Sequence, residues 1–221
     1  MSYLRKKIDI MFNDTPSSNN LLAVLKPEKE LRTYTLAKYL HREERGKELR
    51  EYYDGIITKL PIANALHNLI SANMSTALNI ALNSKGNNYI VTGGRQLIYV
   101  EEPNYGLYPD VIVIEEKPDF YDNDEVLLTN PTLIVEVLPR SNRKDSRYQM
   151  FWAYISLPSF QEYVLVNPEK CRVETRFREE PNLWRDTIYT EMSDSIYLKS
   201  LDCSIPLSLI YRNIQFPQPK N

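Results

Sequence analysis

The chain has 221 residues, 43% hydrophobic and 25% charged, with a formal net charge of −2 at pH 7. That length favours one large domain with its own core, and the composition excludes global disorder. Its apolar stretches are too short for a membrane-spanning helix or the core of a secretory signal, so a cytoplasmic protein is expected. A pI near 5.8 excludes a protein that coats nucleic acid by bulk charge.

Residues 1–30 read as an N-terminal tail, partly ordered at best. Asn13-Asp14-Thr15-Pro16-Ser17-Ser18 is a breaker cluster without periodicity, and Pro27 limits any helix after Leu21. One domain is expected over 31–212, with a short tail over 213–221. A helix begins near Thr33 or Thr35, with Leu36, Tyr39 and Leu40 as its apolar stripe. The mixed charges from His41 to Arg50 read as a solvated helix end and turn.

Leu49–Tyr53 and Ile56–Leu60 form a hairpin around Asp54-Gly55, because that turn needs positive φ at both central positions. A long helix runs from Pro61 to about Leu82, with Ile62, Leu66, Leu69, Ile70, Ala77 and Ala81 on one face. Strands follow at Tyr89–Thr92, Gln96–Val100, Tyr108–Ile114 and Thr132–Leu138. Glu101–Gly106 and Lys117–Pro131 connect them. Gly93-Gly94 reads as a bulge or turn.

A second helix spans about Asp145 to Leu157 and stops at Pro158. Glu162–Val166 and Arg172–Phe177 are strands joined at Asn167-Pro168. Trp184–Thr190 and Ser195–Leu198 are strands, and Pro206–Tyr211 is a short closing helix. The order points to a mixed sheet flanked by helices, an α/β or α+β arrangement.

Two strands carry an anomaly. Tyr108-Pro109-Asp110-Val111-Ile112-Val113-Ile114 and Thr132-Leu133-Ile134-Val135-Glu136-Val137-Leu138 are apolar on both faces, yet each contains one acid. Alternation puts Asp110 on the face of Tyr108, Ile112 and Ile114, and Glu136 on the face of Ile134 and Leu138. A buried carboxylate is costly unless it is paired or binds a metal. Glu51, sharing a face with Leu49 and Tyr53, is a weaker third case. Converging acids suit a hard divalent cation, Mg²⁺ or Mn²⁺. Each could equally be the partner of a buried arginine. Arg140, Arg143, Lys144 and Arg147 follow Glu136 as a basic segment. It is suited to phosphate contacts, or is simply a solvated loop.

Other chemistries lack their residues. Two histidines, His41 and His67, leave little scope for a zinc cluster or a Ser-His-Asp triad. Cys171 and Cys203 read as structural free thiols. No phosphate-binding glycine loop is present.

An ordered set of segments resembles the Uma-two family of endonucleases, within the restriction-endonuclease-like superfamily and its PD-(D/E)XK site. The segments are Arg50-Glu51-Tyr52-Tyr53-Asp54-Gly55-Ile56-Ile57, His67, Tyr108-Pro109-Asp110-Val111-Ile112-Val113, Asn130-Pro131-Thr132-Leu133-Ile134-Val135-Glu136-Val137-Leu138, and Tyr154 through Val166. The resemblance implies a restriction-endonuclease-like mixed central sheet with helices on both sides. It implies DNA as substrate, a divalent metal and a homodimer. Asp110 and Glu136 would be the metal-binding acids, Glu51 a third, and His67 would lie near the site.

The match departs from the pattern at its lysine, and the family's aspartate early in the segment after Glu136 is Ser146 here, next to Asp145. The superfamily lysine two residues after the second acid is Leu138 here. The family's lysine, four residues before Tyr154, is Met150. Arg147 lies one turn earlier on that helix and Lys144 just before it, and either is positioned to steady a phosphate. Two readings stand: a metal-dependent endonuclease, or a catalytically inactive dimeric scaffold that binds DNA or a partner.

Overall fold

The computed structural model describes residues 8–11, 33–83, 89–123, 125–138 and 150–217. Local chemistry sets its first elements. Thr35 caps helix α1 (Leu36–Arg45) by accepting from the N–H of Lys38, and Gly46 ends it. Asp54 and Gly55 both take positive φ, 42° and 91°, and close the hairpin of β2 (Arg50–Tyr53) and β3 (Ile56–Lys59).

The charged run before the hairpin is not wholly solvated. Arg50 donates to both carboxylate oxygens of Glu43, at 3.1 and 3.2 Å, with its guanidinium and its backbone N–H, and both side chains are largely covered. This pair ties the last turns of α1 to the first hairpin strand.

Helix α2 spans Ala65–Asn83 rather than starting at Pro61. The side chain of Asn64 accepts from the N–H of His67 at 2.9 Å, so Asn64 caps the helix and residues 61–63 lead into it. The buried face runs through Ile70, Met74, Ala77, Leu78 and Leu82. Ile62, expected on that face, lies before the helix and is exposed; Leu69 is exposed because it stands about 100° round the helix from buried Ile70.

The expected strand Tyr108–Ile114 divides. Residues 108–110 lie outside any strand, between β6 (Tyr105–Leu107), which falls mostly in the stretch read as a connection, and β7 (Val111–Glu115). Pro109 has no N–H for a ladder, and at Tyr108-Pro109-Asp110 the chain crosses from one sheet to another. Tyr108 therefore packs with the outer cluster around Tyr39, Tyr52 and Tyr99 and does not share a strand face with Asp110.

The five-stranded sheet has the order β3-β2-β6-β5-β8, with β5 at Leu97–Val100 and β8 at Leu127–Leu128. The seven-stranded sheet begins at its outer edge with β4 (Tyr89–Thr92), then β7, β9 (Leu133–Val137) and β10 (Glu162–Val166). It continues through β11 (Val173–Glu180), β12 (Leu183–Tyr189) and β1 (Ile8–Met11). Only β9 and β10 pair in parallel there; the other neighbours are antiparallel. The expected tail thus contributes an edge strand. A small hairpin, β13 (Ser195–Leu198) with β14 (Cys203–Pro206), precedes the closing helix α4 (Leu207–Ile210).

The layers follow from strand alternation. One face of the large sheet, with Val111, Val113, Val135 and Val137, packs on Ile70, Met74 and Leu78 of α2 and on the β13–β14 and α4 unit. The other face, with Ile112, Ile114, Ile134 and Leu165, packs on Tyr53, Ile98 and Leu107 of the five-stranded sheet. Phe151 and Tyr154 fill the same layer from helix α3, whose described part is residues 150–154; residues 155–157, expected to continue it, are turn and bend, and residues 145–149 lie outside the described residues. The fold is mixed α/β with flanking helices, as expected, and a second sheet covers most of one face. No helix among the described residues is long and apolar enough to cross a membrane.

Candidate active site

Strands β7 and β9 pair antiparallel, with Val111 opposite Val135 and Ile112 opposite Ile134. One further step of that register sets Asp110 opposite Glu136. Glu136 shares its strand face with Ile134 and Leu138, which belong to the layer between the sheets. Glu51 shares a face with Tyr53, which belongs to the same layer. The three strand acids therefore sit on strands that look into one layer. Glu51 and Glu136 are buried, and Asp110 is half-buried.

Asp110 is held from several sides. Gly93 passes so close that an added Cβ would lie 2.4 Å from the Asp110 carbonyl oxygen and 2.8 Å from Val111 Cα. The next residue, Gly94, donates its N–H to the Pro109 carbonyl at 3.3 Å. The Asp110 carboxylate accepts from the backbone N–H of Val137 at Oδ2, 2.7 Å away. Its Oδ1 lies 3.2 Å from Nε2 of His67, in the first turn of α2. Glu51 accepts from the Tyr53 phenol at 2.7 Å.

A cavity of about 650 Å³ opens beside Asp110. His67, Asn68 and Ser71 of α2 line it on one side and Leu49, Lys59 and Leu60 of the hairpin on another, with Tyr108 and Leu138 at its floor. Glu51 and Glu136 do not line it. Burial first, and Glu43 second, push the Tyr108 phenol up to about 12, so it stays a donor beside Glu43. Among the described residues no three His, Cys, Asp or Glu side chains stand close enough to hold one ion together. Asp110 borders the cavity while Glu136 lies in the layer between the sheets, and among the described residues the two form no three-acid group with Glu51. Lys144 and Arg147 lie outside the described residues.

His67 is half-buried and faces Asp110. A lone histidine carries no spacing signal; the one local clue was Asn64 three residues earlier, which fixes where the helix begins.

A family model described as "Putative restriction endonuclease", Uma2, matches residues 36–208. The chain belongs to the Uma2 family. Among Uma2-like relatives, "Uncharacterized protein sll1609" of Synechocystis sp. is 37% identical over 140 residues, covering 63% of this chain and 78% of that protein. "Uncharacterized protein slr1290" of the same organism is 31% identical over 179 residues, covering 81% and 92%. The crystal structure of "a putative nuclease belonging to DUF820" from Anabaena variabilis superposes with a TM-score of 0.63 at 14% identity. It covers 82% of this chain and 99% of that one. The Uma2 chain thus has a restriction-endonuclease-like fold. Leu138 and Met150 are both buried in the layer between the sheets.

Proposed function

We propose that this chain is a metal-dependent endonuclease that hydrolyses DNA phosphodiester bonds, working as a homodimer. What supports the reading is the antiparallel register of β7 and β9, which, continued one step past Val111 and Val135, would set Asp110 beside Glu136, in a chain of this family and fold.

The donor set fits a hard cation. Two carboxylates supply oxygen ligands, and Mg²⁺ is commonly held by one or two carboxylates with waters and substrate phosphate completing its shell. The absence of a three-acid cluster among the described residues is compatible with that habit. Asp110 and Glu136 would hold Mg²⁺ or Mn²⁺, and Glu51 would act from behind as a third acid of the same layer. When bound, such an ion makes a coordinated water more acidic and offsets charge on the phosphate. The chain's own side chains do the rest. Asp110 fixes the position of the cation at the cavity, and the walls of the cavity exclude bulk water from one side. Lys144 and Arg147 steady the phosphate, and arginine does so without exchanging a proton.

A second reading rests on Met150. The side chain in the family's lysine position is buried among Leu138, Phe151 and Tyr154, where it neither activates water nor meets a phosphate. This favours an inactive scaffold of the same fold that binds DNA or a partner. Incubating purified protein with supercoiled plasmid and Mg²⁺ or Mn²⁺, beside Asp110→Asn, separates the two. Nicking that needs the metal and disappears in the variant supports the enzyme. DNA binding without nicking under either metal supports the scaffold.

A further inference from the structure

We infer that His67 is a positioning residue for the metal site: its Nε2–H clamps the Asp110 carboxylate in the orientation that receives the cation. The inference rests on the metal-site reading above and adds a residue that reading does not use.

The backbone of His67 is itself fixed. Its N–H goes to Asn64 Oδ1 at 2.9 Å, and its carbonyl accepts from Ser71 Oγ at 3.0 Å. The ring is therefore carried by a pinned first turn of α2. Its Nδ1 is buried and meets no hydrogen-bond partner among the described residues. A buried N–H without an acceptor costs more than a bare ring nitrogen, so the proton of the neutral ring belongs on Nε2, facing Asp110 Oδ1 at 3.2 Å.

Asp110 meets His67 from the helix on one oxygen and Val137 from the neighbouring strand on the other. Held on both oxygens, the side chain loses its freedom to swing, and its plane is fixed beside the cavity that both residues line. Groups that orient a metal ligand in this way typically account for tenfold to a hundredfold in affinity.

The test is calorimetric titration of the full chain with MnCl₂, comparing wild type with His67→Ala, His67→Leu and His67→Gln, and thermal melting of each in EDTA. Glutamine keeps an N–H donor; alanine and leucine remove it, and leucine retains most of the volume should the alanine variant not fold. The expected result is wild-type affinity in His67→Gln and a loss of about tenfold in the other two, with metal-free melting little changed. Equal affinity in all four proteins overturns the inference and leaves the metal site standing. Affinity that falls in step with melting temperature, without rescue by glutamine, assigns His67 to packing and also overturns it. A wild type that binds no Mn²⁺ overturns the metal-site reading itself.

Discussion

Asp110 accepts the backbone N–H of Val137 at 2.7 Å, so the acid that precedes one strand is tied to the strand that carries Glu136. This bond makes the choice of variant matter. Asp110→Ala leaves the Val137 N–H without its acceptor in a largely covered place, which costs about 1–3 kcal/mol. Asp110→Asn keeps a carbonyl oxygen for that donor, while it removes the charge and turns an amide N–H toward His67 Nε2. Urea denaturation should show the alanine variant more destabilised than the asparagine variant, while both lose metal-dependent nicking. Equal stability of the two would mean that the Val137 bond contributes nothing.

Two adjacent glycines give opposite expectations for the same substitution. Gly93→Ala drives a methyl to 2.4 Å from the Asp110 carbonyl and 2.8 Å from Val111 Cα, both backbone atoms that cannot rotate away. Overpacking of this kind costs about 1–3 kcal/mol and must displace the start of β7 with its acid. Gly94→Ala meets nothing within 4 Å, and its cost is limited to the left-handed φ of 72°, about 1 kcal/mol. Nicking should fall with Gly93→Ala beyond what its stability loss explains and remain with Gly94→Ala. Equal loss in the two variants would remove Gly93 from the list of residues that place Asp110.

Glu162 sets a pH dependence of folding. Its carboxylate is buried at the start of β10 and accepts from the N–H groups of Lys199 and Ser200 and from Ser200 Oγ. Burial outweighs those donors and raises the group to about 7 from an ordinary 4.5. A carboxyl raised on folding binds its proton more tightly in the folded state. Its contribution is therefore most favourable below the unfolded value and declines as pH rises from about 4.5 to about 7, by on the order of 3 kcal/mol. Glu162→Gln cannot ionise and can still accept from Ser200. Urea midpoints at pH 5 and pH 8 should differ less in the variant than in wild type. An unchanged pH slope would place the titration elsewhere.

What the sequence disclosed and what it hid divide along a physical line. The Asp54-Gly55 hairpin, β4, β10 and β13 were legible because turn chemistry and short apolar runs are local. Asp110 and Glu136 stood out for the same reason: one charge inside an unbroken apolar run is a local anomaly, whatever it later touches. Elements fixed by distant partners were not visible. The strand around Asp110 is interrupted at Pro109, where the chain crosses from one sheet to the other. β6 is only three residues long and β14 carries Ser204 and Pro206, and both exist through pairing with β2, β5 and β13. The start of α2 depends on a single cap at Asn64, which leaves Ile62 outside the helix. His67 meets its partner only through the packing of α2 against the end of the large sheet.

Met150 offers the sharpest separation of enzyme from scaffold. It is buried in the layer that Glu51 and Glu136 also face, packed with Leu138, Phe151 and Tyr154. Met150→Lys places an amine in that layer, at the position the resemblance gives to a lysine. The apolar part of the lysine stem follows the methionine, and the charge costs several kcal/mol, or the amine stays neutral, unless an acid meets it. If Glu136 or Glu51 is within reach, the ion pair offsets part of that cost and the ammonium is placed to act on a phosphate at the site. The expected outcome is a rise in metal-dependent nicking above the wild-type level, with stability lowered by less than an uncompensated buried lysine requires. Combining Met150→Lys with Asp110→Asn should abolish the gain. A Met150→Lys protein that is folded, binds DNA and nicks no faster than wild type would show that position 150 is not the lysine position of the active site.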